Sequence, residues 1–177
     1  MLIQQRLGKN DHLHDFIREQ LSGKTGLIGI EIGSYQGEST EMFLESGVFS
    51  KLYCVDPWLN GYDPNDFASS SDMVLAEQKF DERFKDSDVI IKVKKTSDEA
   101  VGMFDDLSVD FVYIDANHQY DAVKKDILNY LPKVKHGGII SGHDYVPRFG
   151  VYKAVPDVFG KPPLKVYQEG SWLYIKE

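Results

Sequence analysis

Apolar and polar positions along the chain follow two alternating rhythms. Near-continuous apolar runs at 26–32, 51–55, 89–93, 109–114 and 139–142 read as strands covered on both faces. Between them, apolar residues recur every three or four positions, the spacing of helices laid on a sheet. Leu13, Phe16, Ile17 and Leu21 mark a first helix, capped by Asp11 and ended at Ser22-Gly23. Residues 37–46 form a second, stopped by Gly47. Met73, Ala76, Phe80 and Phe84 line a third, capped by Ser70 or Ser71, and Ala100, Val101 and Phe104 a fourth, capped by Ser97 or Asp98. A fifth carries Tyr120, Val123, Ile127, Tyr130 and Leu131 on one face and ends at Pro132. Val151, Val155 and Phe159 suggest a sixth, which Pro156 is expected to kink or break. A hairpin of 164–168 and 172–175, turning at Glu169-Gly170, closes the chain. Strands alternating with helices predict an α/β fold: a doubly wound, mostly parallel seven-stranded sheet with helices on both faces and a C-terminal antiparallel hairpin.

Length adds one constraint. At 177 residues the chain fits a single domain, 1–177, with the first helix inside residues 1–25. Residues 57–71 mix Pro, Gly, Asn, Asp and Ser with Trp58, Tyr62 and Phe67, a loop long and aromatic enough to act as a lid. Twenty-eight acidic against 20 basic residues give a net charge of −8, which disfavours nucleic acid and anionic membranes as partners. Lys92, Lys94 and Lys95 cluster and read as a solvated strand end. Cys54 is the only cysteine, so neither an internal disulfide nor a cysteine-built metal site is expected, and in its apolar strand it should behave as a small hydrophobe. With neither signal peptide nor membrane span legible, the expected location is cytoplasmic.

The chemistry gathers at strand ends. The first strand runs into Glu31-Ile-Gly33-Ser34-Tyr35-Gln-Gly37-Glu-Ser39, a tight turn opening a helix. In open α/β sheets such a turn lets a ligand approach the backbone. The G-x-G-x-x-G spacing that admits a pyrophosphate is missing, and Glu31 would repel one. A carboxylate there suits a ligand carrying an ammonium and a sulfonium, as S-adenosylmethionine does. Asp56, Thr96-Ser97, Asp115 and His143-Asp144 follow the next four strands. Taken singly, each is an ordinary turn or cap residue; taken together they describe a site.

The segments Ile-Glu-Ile-Gly-Ser-Tyr-Gln-Gly-Glu-Ser, Cys-Val-Asp-Pro-Trp, Asp-Phe-Val-Tyr-Ile-Asp-Ala-Asn-His-Gln-Tyr and Gly-Gly-Ile-Ile-Ser-Gly-His-Asp-Tyr resemble class I S-adenosylmethionine-dependent methyltransferases. More narrowly, they are similar to a small-molecule O-methyltransferase-like branch that includes macrolide-sugar methyltransferases and cephalosporin hydroxylase-like proteins. The resemblance spans about residues 26–159 and implies a Rossmann-like fold. It also implies that Glu31, Gly33, Ser34, Tyr35, Gly37 and Ser39 hold the methionine end of the cofactor. Asp56 would receive the ribose hydroxyls, Trp58 would flank the adenosine, and Thr96 and Ser97 would lie beside the adenine, with Asp115 closing the cofactor site.

Asp115 and Asp144, at neighbouring strand ends, suit a divalent cation, with His143 a third ligand or the base beside it. Magnesium fits an oxygen-only set; a nitrogen ligand moves preference to manganese, iron or zinc. The branch more often carries a second carboxylate where this chain has His143. His118 and His143 are the candidate general bases, with Asp115 beside them; His12, His14 and His136 read as surface residues. The expected activity is methyl transfer to a hydroxyl oxygen of a small molecule. A homodimer partner is one possible contributor to acceptor selectivity. The competing readings are a nicotinamide (NAD)-dependent oxidoreductase and a non-catalytic S-adenosylmethionine-binding relative.

Overall fold

The computed structural model describes residues 13–62, 72–168 and 170–177. Its elements, in chain order, are α1 (Leu13–Gln20), β1 (Leu27–Ile32), α2 (Glu38–Glu45), β2 (Phe49–Asp56), α3 (Met73–Phe84), β3 (Ile90–Lys94), α4 (Ser97–Ala100), β4 (Val109–Ile114), α5 (Tyr120–Tyr130), β5 (Val134–Gly142), α6 (Val151–Phe159), β6 (Lys165–Val166) and β7 (Trp172–Ile175). One seven-stranded sheet runs in the order β3-β2-β1-β4-β5-β7-β6. The first five strands pair in parallel, while β7 lies antiparallel to both β5 and β6. The chain winds outward from β1 to β3, then returns to β4, so the crevice beyond the carboxyl ends of β1 and β4 is the switch point where ligands bind in such sheets.

Alternation along the central strands sorts the core into two chemically different layers. Phe111 and Tyr113 of β4 meet Phe16, Phe43 and Phe49 in an aromatic layer under α1, α2 and α3. Val112 and Ile114, one residue out of phase, join Ile30, Ile32, Ile127, Val155 and Trp172 under α4, α5 and α6. Cys54 is buried in the first layer, and burial pushes its thiol well up, as a small hydrophobe's should be.

Several local expectations shift. Asp72 caps α3, its carboxylate accepting from Leu75 N at 3.1 Å; Ser70 and Ser71 lie outside the described residues, as do Asp11, His12 and Glu169. Thr96 caps α4, in a capping box with Glu99, where Ser97 or Asp98 was expected. β5 begins at Val134, five residues before the apolar run, because exposed His136 and positive-φ Gly137 interrupt the pattern without ending the strand. α6 passes unbroken through Pro156: the missing N–H orphans only the carbonyl of exposed Tyr152, which water can reach. Lys92 and Lys94 are not simply solvated, since both bond Glu77 of α3 and Lys92 also bonds Asp81. Among the described residues, no helix is long and apolar enough to cross a membrane.

Candidate active site

A cavity of about 730 Å³ lies at the switch point, within the usual range for small-molecule sites. The turn after β1 forms its floor. Gly33 has φ 90°, and a Cβ there would stand 2.1 Å from the Asp115 carbonyl oxygen, so the ends of β1 and β4 touch backbone to backbone. Gly37 has φ 86°, and a Cβ would meet the Phe84 ring at 2.4 Å. It fixes the start of α2 against α3 and does not line the cavity. Gly33, Ser34, Tyr35 and Ser39 do line it.

Glu31 holds this turn from behind. It is 0 % exposed and outside the cavity lining. Its carboxylate accepts from Ser34 Oγ at 2.9 Å, Ser39 Oγ at 2.6 Å and Thr40 Oγ1. Burial raises its pKa, against the lowering effect of those hydroxyls. The expected direct contact between Glu31 and a cationic ligand is therefore corrected: the strand period points this side chain into the core, where the helix's own hydroxyls meet it. Asp56 is buried but lines the cavity. It accepts from the backbone N–H groups of Tyr35 at 3.0 Å and Trp58 at 2.7 Å, tying the β1 turn to the end of β2.

Trp58 is placed elsewhere than expected. It is 3 % exposed and absent from the lining. Its Nε1 donates to Tyr35 O at 2.7 Å, its ring packs on Phe80 at 5.0 Å, and Lys92 Nζ sits 5.0 Å over it. The indole is a core anchor for the β2 loop. Pro57, Leu59 and Tyr62 of that loop line the cavity, while residues 63–71 of the expected lid lie outside the described residues.

The far wall is built by β4, α4, α5 and β5. Thr96 and Ser97 line it as expected. Asp126 of α5, which sequence reading passed over, lines it too, though only 5 % of its surface is exposed. Its signal was legible: Val123, Asp126, Ile127 and Tyr130 share one helix face, and Asp126 is the only acid in that buried stripe. Burial raises its pKa to about 6, partly offset by a hydrogen bond from Ser97.

Beyond β4 and β5 the charges converge. His118 Nε2 lies 3.0 Å from Asp144 Oδ2 and 3.6 Å from Asp115 Oδ1. The 3.0 Å approach is an ion pair by distance. Burial opposes charge on His118, but the two carboxylates outweigh it and lift the imidazole pKa to about 10. Asp144 is held well below the usual carboxylate range, because His118 and His143 overcome its desolvation. The loop that presents His118 is fixed by Gly150 N donating to His118 O at 2.9 Å and by Phe149 packing 4.9 Å from the imidazole. His143 Nδ1 stands off at 3.5 Å from Asp144 Oδ2 and 3.8 Å from Asp115 Oδ1.

The donor set that converges is thus Asp115, His118 and Asp144. His118 occupies the place expected of His143, because the helix-leading loop carries it between the two carboxylates. Separations of 3.0 and 3.6 Å suit neighbouring ligands around one divalent cation bonded at about 2.1 Å.

Strand order and switch-point cavity together define the fold of S-adenosylmethionine-dependent methyltransferases. Such an enzyme from Mesorhizobium loti superposes with a TM-score of 0.51 at 17% identity, covering 72% of this chain and 50% of that one. The precorrin 8w decarboxylase of Methanobacterium thermoautotrophicum gives a TM-score of 0.60 at 14% identity, covering 92% and 83%. The family model described as a methyltransferase domain matches residues 30–145, and the chain belongs to that family. An uncharacterized protein of Acanthamoeba polyphaga mimivirus is 29% identical over 145 residues, 78% of this chain and 62% of that protein. The chain therefore spans less than two thirds of that relative's length.

Proposed function

We propose that the protein transfers the methyl group of S-adenosylmethionine to a hydroxyl oxygen of a small molecule. The observation that carries this is the Asp115–His118–Asp144 cluster, of which Asp115 and His118, together with neighbouring His143, lie on the wall of the same cavity whose floor is the glycine turn. Charge supports the choice of methyl donor. Among the described residues, Glu38, Asp56, Asp98, Asp115 and Asp126 line the cavity with Lys125 as the only lysine or arginine, a setting that favours a sulfonium and an ammonium and repels the pyrophosphate of NAD.

In the transfer, the acceptor oxygen bonds to the methyl carbon as the carbon–sulfur bond breaks, and the electron pair leaves with sulfur. The acceptor's hydroxyl proton must go to a base. His118, whose proton two carboxylates retain, is the poorer base, so the role falls to His143 beside it. Asp115, His118 and Asp144 fit a divalent cation, manganese, iron or zinc ahead of magnesium given the imidazole. Bound there, such a cation would lower the pKa of an acceptor hydroxyl. His118 would have to release its proton to ligate, so uptake is accompanied by proton release.

Thermal unfolding with S-adenosylhomocysteine or NAD, each with manganese or with chelator, tests the reading. S-adenosylhomocysteine should raise the melting temperature and NAD should not. Stabilisation by NAD alone would overturn it.

A further inference from the structure

The loop after β5 carries a charge that the transfer does not use. Arg148 is exposed, and its guanidinium carbon lies 4.6 Å from the centre of the Phe149 ring. The same ring packs 4.9 Å from the His118 imidazole, so one aromatic side chain meets both this cation and the charge cluster. Backbone bonds hold the spacing: Val146 N donates to Asp144 O at 2.7 Å, Phe149 N to Val146 O at 3.0 Å and Gly150 N to His118 O at 2.9 Å. Gly150 also lies against the start of α5, where a Cβ on it would stand 2.1 Å from Tyr120 N.

Among the described residues no carboxylate pairs with Arg148. Lys124 and Lys153 lack one too, but both stand over Tyr120, at 5.5 and 5.3 Å, whose hydroxyl is bonded to Asp157; they belong to the seam between α5 and α6. Packing on Phe149 uses none of the five guanidinium N–H donors in a conventional hydrogen bond, and their planar fork matches a carboxylate or a phosphate. Charge sets which way round such a ligand lies. The acids lining the cavity repel an anion, whereas Arg148, outside that lining, attracts one.

Resting on the methyl-transfer reading above, we infer that the acceptor is a small hydroxylated anion, its carboxylate or phosphate held by Arg148 at the rim and its hydroxyl directed inward to His118 and His143. Arg148 is then a specificity-determining residue. The two spacings through Phe149 set the reach from anion to hydroxyl, a length that a hydroxybenzoate or a sugar phosphate spans.

Anion titrations of the protein loaded with S-adenosylhomocysteine and kept in chelator decide this. Phosphate and acetate are added separately at constant ionic strength in chloride, and the imidazole C–H resonances of His118 are followed by NMR. In the wild type one or both anions should shift those resonances saturably, and the tighter binder names the group as phosphoryl or carboxyl. Arg148→Gln, with melting curves recorded alongside, should weaken that binding about tenfold or more, as loss of a hydrogen bond to a charged group does. No saturable shift in the wild type, or the same affinity in Arg148→Gln, overturns the role of Arg148. Failure of S-adenosylhomocysteine to bind, measured first by calorimetry, instead defeats the methyl-donor reading, and this inference with it.

Discussion

The two sides of the cavity treat buried charge in opposite ways. On the side of the turn after β1, the protein supplies its own donors: three hydroxyls close around Glu31, and two backbone N–H groups meet Asp56. Across the cavity, Asp126 has Ser97, while Asp115 and Asp144 share the one imidazole of His118 at 3.6 and 3.0 Å. The first side is finished by folding and holds a shape. The second is left electrostatically incomplete, which is where a ligand or a proton transfer has something to gain. Burial alone does not separate the two, since Glu31 and Asp126 are both buried carboxyls with raised pKa values. Partner count does.

The sharpest way to break this contrast is to remove one buried carboxyl from each side. Glu31→Ala should destabilise the fold by about 3 to 5 kcal/mol in urea unfolding, because three buried hydroxyls lose their acceptor and the turn loses its brace. A loss below about 1 kcal/mol would mean that the hydroxyls find other partners and Glu31 is no brace.

Asp126→Asn should act in the other direction and less strongly. Asp126 titrates near 3.8 when unfolded and near 6 in the fold, so the folded state binds its proton more tightly. That favourable contribution is complete below pH 3.8 and is lost as the pH rises through 6. At pH 8 the amide variant should therefore be more stable than the wild type by about 2 to 3 kcal/mol, with the gap closing towards pH 4. Urea midpoints across that pH range check the sign; a variant less stable at pH 8 would place Asp126 among the structural acids with Glu31.

The same contrast explains how much could be read from sequence. Strands announced themselves because burial on both faces demands apolar runs, and the strand-end residues Asp56, Asp115 and Asp144 came with them. Side-chain direction was harder. Glu31 was legible as an acid at a strand end, but whether it faced the ligand or the core depended on Ser34, Ser39 and Thr40 curling back from a helix start. Trp58 looked like a lid aromatic because its neighbours are loop formers, and only the Phe80 ring of α3 explains its burial. His118 and His143 were both visible as candidates; which one enters between the carboxylates follows from the loop that Gly150 and Phe149 pin. Asp126 was hidden by the opposite error, since a helix with an apolar stripe gives no reason to look for chemistry until its one acid is placed on that stripe.

The central claim is that cofactor grip and charge cluster are separable parts of one cavity. Titrating the wild type and Asp144→Asn with S-adenosylhomocysteine and, separately, with manganese tests it most directly. Both proteins should bind S-adenosylhomocysteine with affinities within about twofold of each other, and only the wild type should bind manganese with release of a proton. Loss of S-adenosylhomocysteine binding in Asp144→Asn, or manganese binding that survives the substitution, would contradict the division.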